Sequence, residues 1–365
     1  MDKKKIIITG GGTGGHVYPA LAIAQALRSE YDIVYIGHPH RLEAQVVPQY
    51  KYPFYGILTF PRPKKVGQIP EYVFSFLSSL REARRLIRKI KPDLVIGMGG
   101  FISFPVVLMA WVQRLPVILH EQNVIPGKAN LIFVKLGIPL MASFEGTALY
   151  ISAKFFNFTG CPVREKIGKI TKKAARQKLG IAQDLKVCLL FGGSGGAAQL
   201  NKIALNLKGF LKKESGYLLI HIAGPHYYKE LKDQLNEEKN ANYKLLEYVD
   251  DIENYYAASD LVISRSGAVT IAELMAAKKP AILIPSPNVK DNHQELNARY
   301  LEAKGFAKVF LETELETKSF EEVLKLFWQE SNQIEDKYNE DKETQQQVIL
   351  NIKIAIQERI KRGVG

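Results

Sequence analysis

Lys5-Ile6-Ile7-Ile8-Thr9-Gly10-Gly11-Gly12-Thr13-Gly14-Gly15-His16 leads a β-branched run into a glycine turn and then into a helical stretch. The order returns at Lys186-Val187-Cys188-Leu189-Leu190-Phe191-Gly192-Gly193-Ser194-Gly195-Gly196. Each copy reads as strand, glycine turn, helix, and each opens a domain of its own. Further short apolar runs at 33–37, 94–96, 117–119, 218–222, 261–264 and 281–284 alternate with amphipathic stretches. Strands that are apolar on both faces and separated by helices form parallel sheets covered on both sides. Right-handed crossovers then make each half a doubly wound α/β layer. The predicted fold is α/β, with two Rossmann-like domains.

The boundary is expected near Gly160-Cys161-Pro162-Val163-Arg164, where a strand-like 155–159 meets the polar, basic stretch 166–178. Val348, Ile349, Ile352, Ile356 and Ile360 recur at helical spacing, so the tail is a helix with one apolar stripe that must dock. Crossing back to the first domain gives an N-terminal domain of 1–160 plus 342–365 and a C-terminal domain of 161–341.

The chain has 365 residues, 46% hydrophobic and 24% charged, which suits two globular domains and excludes disordered and collagenous classes. Its two cysteines, Cys161 and Cys188, make neither a disulfide framework nor a thiolate metal site and fit a reducing compartment. No apolar core of secretory-signal length follows Met1. Residues 94–113 are uncharged for a length that matches a bilayer, but Gly97, Gly99, Gly100 and Pro105 break them. A buried strand, a glycine loop and a helix from about Pro105 to Gln113 are expected there. The net charge of +13 is uneven: residues 1–160 hold 19 Lys/Arg against 9 Asp/Glu, and the remainder 31 against 28. The basic half therefore faces a polyanion.

A glycine turn delivering a strand into a helix exposes backbone N–H groups at the positive end of the helix dipole, which binds phosphate. Gly10-x-Gly12-x-x-Gly15 also fits the dinucleotide fingerprint, and a nicotinamide enzyme is the runner-up reading. Such a site wants an acid at the end of the second strand. Here the second strands end in Gly37-His38-Pro39 and Ala223-Gly224-Pro225, with no carboxylate. His16 stands in the first turn of the first helix, where an imidazole serves either as a proton acceptor or as a capping or core residue. In the second half, Ser264-Arg265-Ser266-Gly267-Ala268-Val269-Thr270-Ile271-Ala272-Glu273 follows a strand and starts a helix. Its first-turn N–H groups suit a diphosphate, and Glu273 suits a ribose diol; the plainer alternative is an ordinary capped helix. Asp291-Asn292-His293-Gln294-Glu295 opens another helix with groups suited to sugar hydroxyls.

These residues resemble the MurG family of UDP-N-acetylglucosamine (UDP-GlcNAc) transferases. The matching motifs are Gly11 to His16, His120-Glu121-Gln122-Asn123 with Pro126-Gly127, Pro162-Val163-Arg164, and Gly192-Gly193-Ser194. Arg265 to Ala268 with Thr270 and Glu273, and Gln294 with Asn297-Ala298, complete them, in order along nearly the whole chain. The chain departs from the family at Gly195, Cys161 and His293, where Gln, Asn and Gln are usual. The resemblance implies a GT-B glycosyltransferase, two Rossmann-like domains facing a cleft. It implies inverting transfer of GlcNAc from UDP-GlcNAc to the muramyl 4-hydroxyl of undecaprenyl-diphosphate-linked MurNAc-pentapeptide, which turns lipid I into lipid II in peptidoglycan synthesis. His16 is the candidate catalytic base. The main chain near Val249 would receive the uracil, with Arg164, Ser194 and Arg265 as further donor contacts. Ala268, Val269 and Thr270, with Ile271 and Ala272 behind them, would hold the diphosphate, Glu273 the ribose and Gln294 the sugar. Thr13, Gly14, Gly15 and Asn123 would close over the donor. Another GT-B UDP-sugar enzyme, a 2-epimerase or glycolipid transferase, would share that donor site.

No Asp-x-Asp motif occurs, so neither a metal nor any other cofactor is expected, and helix N-termini and basic side chains must neutralise the phosphates. Residues 62–91 carry Arg62, Lys64, Lys65, Arg81, Arg84, Arg85, Arg88, Lys89 and Lys91 against Glu71 and Glu82, interleaved with Val73, Phe74, Phe76, Leu77 and Leu80. This reads as a surface for an anionic membrane, or as a solvated helix packing its apolar side on the sheet. The expected location is peripheral, on the cytoplasmic face of the bacterial plasma membrane. No zinc spacing or RNA-binding aromatic signature supports a nucleic-acid partner.

Overall fold

The computed structural model describes residues 3–60, 65, 67, 69–214, 216–235, 242–316, 320–340 and 344–363. The chain divides into two compact units, Met1–Arg164 with Thr344–Gly365, and Glu165–Glu343.

The first unit runs β1 (Lys4–Thr9), α1 (Gly14–Leu27), β2 (Tyr31–Gly37), α2 (Leu42–Gln49), β3 (Phe54–Gly56), α3 (Ile69–Ile90), β4 (Leu94–Gly97), α4 (Gly100–Val112), β5 (Val117–Glu121), α5 (Lys128–Lys135), β6 (Leu140–Ala142) and β7 (Phe156–Phe158). Its parallel sheet has the order β3-β2-β1-β4-β5-β6-β7. The strand order reverses between β1 and β4, where doubly wound sheets place their ligands. Successive residues of β1 serve opposite cores. Ile6 and Ile8 pack with Val17, Leu21 and Leu27 of α1, while Ile7 packs with Ala83, Leu86 and Ile87 of α3 and with Val107 of α4.

The second unit follows with α6 (Lys172–Leu179), β8 (Lys186–Phe191), α7 (Ala198–Asn206), α8 (Lys208–Lys213), β9 (Tyr217–Ile222), α9 (Pro225–Leu235), β10 (Tyr243–Leu246), α10 (Ile252–Ala258), β11 (Leu261–Ser264), α11 (Ala268–Ala277), β12 (Ala281–Leu283), α12 (His293–Ala303), β13 (Ala307–Val309) and α13 (Phe320–Glu340). Its parallel sheet is ordered β10-β9-β8-β11-β12-β13, the same switch between the first and fourth strands. The buried Arg176 ties its start together. The guanidinium donates to the carbonyls of Ala258 (3.0 Å) and Gln183 (2.6 Å) and to the Asp260 carboxylate (2.8 Å). Asp260 also receives the Val187 N–H at 2.7 Å, at the head of β8.

The chain ends in α14 (Gln345–Arg362), which returns to the first unit. Val348, Ile352 and Ile356 are buried in the core of β1 and α1, and Arg359 donates to the Val117 carbonyl at 2.9 Å. In the first turn of α14, the Gln345 side chain accepts the Val163 N–H (3.2 Å) and donates to the Cys161 carbonyl (3.3 Å).

One expected boundary is corrected. The helix placed at about Pro105 begins at Gly100 instead, immediately after the turn at Gly99. Burial of Ile102, Val106, Val107 and Ala110 on one side outweighs the hydrogen bond lost at Pro105, and the Ser103 hydroxyl bonds back to the Gly100 carbonyl. Among the described residues no helix is long and apolar enough to cross a membrane.

Two buried histidines make the fold sensitive to acid. His221 on β9 is held between the Tyr243 hydroxyl (2.6 Å) and the Asn201 Oδ1 (2.9 Å), and burial pulls its pKa from 6.5 down to about 4. Burial likewise takes His120 on β5 to about 4, against an opposing pull from the Gly160 backbone. Between those values the unfolded chain binds protons that the folded chain refuses. Stability is therefore complete above about 6.5 and falls as pH drops towards 4, by up to roughly 3 kcal/mol for each ring. Urea midpoints followed from pH 7 to pH 4 should decline, and less steeply in His221→Gln. Parallel slopes for the two proteins would remove His221 from the effect.

Candidate active site

The first glycine loop, between β1 and α1, is braced from behind. Glu43 in the first turn of α2 is buried, accepting the Gly12 N–H on one carboxylate oxygen and the His38 N–H on the other, both at 2.9 Å. The carboxylate lies against Gly11, where a Cβ would collide with it. The loop thus does not offer all its N–H groups to a ligand, because that of Gly12 is already taken. The second strand carries no acid at its end, yet a carboxylate six residues beyond it turns back onto the glycine loop.

Beyond that brace, α1 starts open. Thr13 at its N-cap makes no capping bond with its side chain, and no acid occupies the first turn of Gly14, Gly15 and His16. The half-buried His16 ring directs Nδ1 to the Gln122 Oε1 at 2.8 Å, and Nε2 looks towards Gly100. Gly100 has φ +77°, and a Cβ built there would stand 3.4 Å from that nitrogen, so glycine keeps its approach clear. Gly99 and Gly100 open α4 with no side-chain cap. His16, Gly100 and Gln122 follow β1, β4 and β5, so three adjacent parallel strands bring them together.

The loop after β5 is organised by Glu121, which is buried. Its Oε1 accepts the N–H groups of Gln122 and Asn123 at 3.1 Å each. Its Oε2 accepts the Gly127 N–H and the Asn130 side-chain amide at 2.8 Å each. Asn123 is half-buried, and its carbonyl receives the Thr147 hydroxyl at 3.4 Å. At the end of the unit, Arg164 stacks its guanidinium over the Tyr18 ring at 5.3 Å.

In the second unit, β11 enters α11 through Ser264 to Gly267. Ser266 is buried, donating its hydroxyl to the Gln294 carbonyl at 2.8 Å, while the Ser266 carbonyl receives the Asn297 amide at 3.3 Å. These bonds join the start of α11 to α12. Gly267 caps α11 without a side-chain bond and no acid sits in the first turn, which leaves the Ala268, Val269 and Thr270 N–H groups for an anion. Ile271 and Ala272 are buried behind them. Glu273, also buried, accepts the Tyr256 hydroxyl on Oε2 at 3.0 Å. Gln294 gives its Oε1 to the Ser286 N–H at 2.9 Å, an orientation that leaves the NH2 end as the donor for a ligand. Arg265 braces the neighbouring strand. Its guanidinium donates to the Ile284 (3.0 Å) and Pro285 (3.1 Å) carbonyls and pairs with Glu312 at 2.5 Å, holding the end of β12. Ser194 is exposed in the second glycine loop, and Val249 is half-buried in the segment after β10.

The sequence alone assigns no individual role to Glu43, Glu121 or Gln122. Glu121 and Gln122 belong to the motif His120-Glu121-Gln122-Asn123; nothing in the sequence around Glu43 shows that it turns back on Gly12. Among the described residues no cluster of His, Cys, Asp or Glu side chains is arranged to hold a metal ion.

Residues 6–136 match the glycosyltransferase family 28 N-terminal domain and residues 187–352 its C-terminal domain. A UDP-N-acetylglucosamine–N-acetylmuramyl-(pentapeptide) pyrophosphoryl-undecaprenol N-acetylglucosamine transferase from Halothermothrix orenii is 40% identical over 326 residues, spanning 85% of this chain and 86% of the relative. The enzyme of the same name from Acetivibrio thermocellus is 39% identical over 317 residues, again 85% and 86%. Among solved structures, MurG of Acinetobacter baumannii superposes with a TM-score of 0.71 at 26% identity, covering 95% of this chain and 98% of its own. A UDP-GlcNAc 2-epimerase from Neisseria meningitidis shares the fold, with a TM-score of 0.66 at 18% identity over 98% of this chain and 100% of its own. With both family domains matched in order and relatives of this identity along most of its length, the chain belongs to glycosyltransferase family 28, as a GT-B enzyme of the MurG family.

Proposed function

We propose that this enzyme transfers GlcNAc from UDP-GlcNAc to the muramyl 4-hydroxyl of undecaprenyl-diphosphate-linked MurNAc-pentapeptide, converting lipid I to lipid II, with inversion at the anomeric carbon. The observation that carries the donor reading is the uncapped start of α11, with Glu273 and Gln294 beside it. Three N–H donors in one helical turn match the oxygens of a diphosphate, and the dipole behind them favours its charge. In this reading Ala268 to Thr270 hold the diphosphate, backed by Ile271 and Ala272. Glu273 takes the ribose, the Gln294 amide a sugar hydroxyl, and the main chain at Val249 the uracil, with Ser194 as a further contact. Arg265 contributes by fixing the end of β12. In the N-terminal unit, Thr13, Gly14, Gly15, Asn123 and Arg164 are assigned to substrate contacts.

The acceptor oxygen attacks C1 as the bond from C1 to the diphosphate oxygen breaks, and UDP leaves with the electron pair. The proton of the attacking hydroxyl passes to His16 Nε2. Negative charge grows on the departing diphosphate, and donors already fixed in place stabilise it most there. The test is transfer from labelled UDP-GlcNAc to a short-chain lipid I analogue. Disaccharide product, with UDP release that requires the acceptor and persists in EDTA, is expected. Consumption of UDP-GlcNAc without the acceptor, or release of a 2-epimer, refutes the assignment.

The acceptor's polyprenyl chain requires access to a membrane, and α3 supplies a surface for it. Its C-terminal half buries Ala83, Leu86, Ile87 and Ile90, whereas Val73, Phe74 and Leu77 in its N-terminal half are exposed, Phe74 by 77%. Leu58 and Phe60 add to the exposed apolar side chains, and Arg81, Arg84, Arg85, Arg88 and Lys89 are exposed along the helix. Arg62 and Lys64 lie outside the described residues. In our reading this is a peripheral enzyme of the cytoplasmic face of the bacterial plasma membrane, held by inserted apolar side chains and about 1 kcal/mol per well-placed cation. Co-sedimentation with anionic vesicles should exceed that with neutral ones and fall with added salt. Phe74→Ser combined with Leu77→Ser should weaken it roughly tenfold or more. Equal sedimentation with both vesicle types contradicts the electrostatic part.

A further inference from the structure

Gln122 is buried at the end of β5, and its side chain bridges two histidines. Its Nε2 lies 3.1 Å from the backbone carbonyl of His120 and 2.9 Å from the His120 Nδ1. A backbone carbonyl only accepts, so the amide cannot be reversed without setting two oxygens against each other. The Asn130 amide also donates to that carbonyl, at 3.3 Å, confirming its role as acceptor. The Gln122 Oε1 must therefore face His16, whose Nδ1 stands 2.8 Å away. An amide oxygen has no proton to give, so the hydrogen of this bond belongs to the His16 Nδ1. The opposite nitrogen is left with a lone pair, directed to the space kept open by Gly100.

We propose that Gln122 is a positioning residue that locks neutral His16 in the Nδ1–H tautomer, so that Nε2 is the nitrogen free to take a proton; this rests on the reading of His16 as the base. A free imidazole prefers the opposite form, with its proton on Nε2, in which that nitrogen is useless as a base. The neighbour therefore decides whether the ring works. The backbone of His120 orients the amide and the amide orients the ring, from positions where Gln122 and His120 are both fully buried.

The test is 15N NMR of the full-length enzyme labelled at histidine, with the His16 signals assigned by their loss in His16→Asn, beside steady-state kinetics. In the wild type, Nδ1 should show the protonated, pyrrole-type shift and Nε2 the pyridine-type shift; the reverse pattern overturns the proposal without any variant. Gln122→Met removes the acceptor, so the ring should move towards the Nε2–H form. Its kcat should drop about 10- to 100-fold while the KM for UDP-GlcNAc stays within about twofold. Gln122→Glu retains an oxygen for His16 while losing the donor to His120. It should keep the Nδ1–H form and recover several-fold of the turnover lost in Gln122→Met. Met and Glu variants that are equally impaired, or a ring that keeps its tautomer in Gln122→Met, overturn the proposal. A ring that shifts as expected with turnover unchanged supports the lock and removes His16 as the base, so the two readings fail separately.

Discussion

His16→Ala should lower kcat by about 10²- to 10⁴-fold, the contribution of a positioned general base, while the KM for UDP-GlcNAc changes by no more than about threefold. The asymmetry follows from geometry. His16 belongs to the first turn of α1, where its own backbone N–H bonds to the Thr13 carbonyl at 3.1 Å. Alanine keeps that bond and leaves the glycine loop, braced through Gly12 and Glu43, in place. What disappears is the imidazole, and with it the nitrogen that faces Gly100. The donor residues of the second unit are untouched. A variant that turns over within about threefold of the wild type would exclude His16 from proton transfer.

The second large effect is expected at Glu121. Its two oxygens receive five N–H donors, three from the backbone and two from the Asn123 and Asn130 side-chain amides. Glu121→Gln preserves the shape but replaces one acceptor with an NH2 group. Whichever way the amide turns, that group confronts at least two donors. Leaving buried N–H groups unpaired costs about 1–3 kcal/mol each, so a loss of roughly 2–4 kcal/mol is expected. Differential scanning calorimetry should register it as a fall of roughly 5–15 °C in the transition of the N-terminal unit. Turnover should suffer as well, because the same loop carries Gln122 and Asn123. An unchanged transition would refute Glu121 as the anchor of this loop.

The parts that could be read in the sequence share a physical property: they are local. Parallel strands buried on both faces appear as uninterrupted apolar runs, and so Ile6 to Ile8, Val187 to Phe191 and Leu261 to Ile263 announced themselves. The segment from Ser264 to Glu273 holds a strand end, a turn and a helix start within ten residues, and its chemistry could be inferred from order alone. The contacts that complete the sites are distant in the chain. His16 and Gln122 are separated by 106 residues and meet because β1, β4 and β5 lie side by side. Arg265 and Glu312 are 47 apart, so the ion pair that braces the end of β12 could not be read from the sequence. Gly12 and Glu43 are 31 apart, and their bond removes a donor that the glycine pattern alone would leave exposed. The start of α4 escapes the sequence for a different reason. Pro105 is a local breaker, but Val106, Val107 and Ala110 belong to a core that only the tertiary structure supplies.

The return of α14 imposes an order on biosynthesis. Strands β1 to β7 leave the ribosome early, but the surface of β1 and α1 that Val348, Ile352 and Ile356 cover stays bare until the whole of the second unit has been translated. The half that is made first is sealed last. Until then the nascent chain carries an open greasy face, a natural target for a holding chaperone, and a stop codon or protease cut just ahead of Gln345 would strand it in that unfinished form.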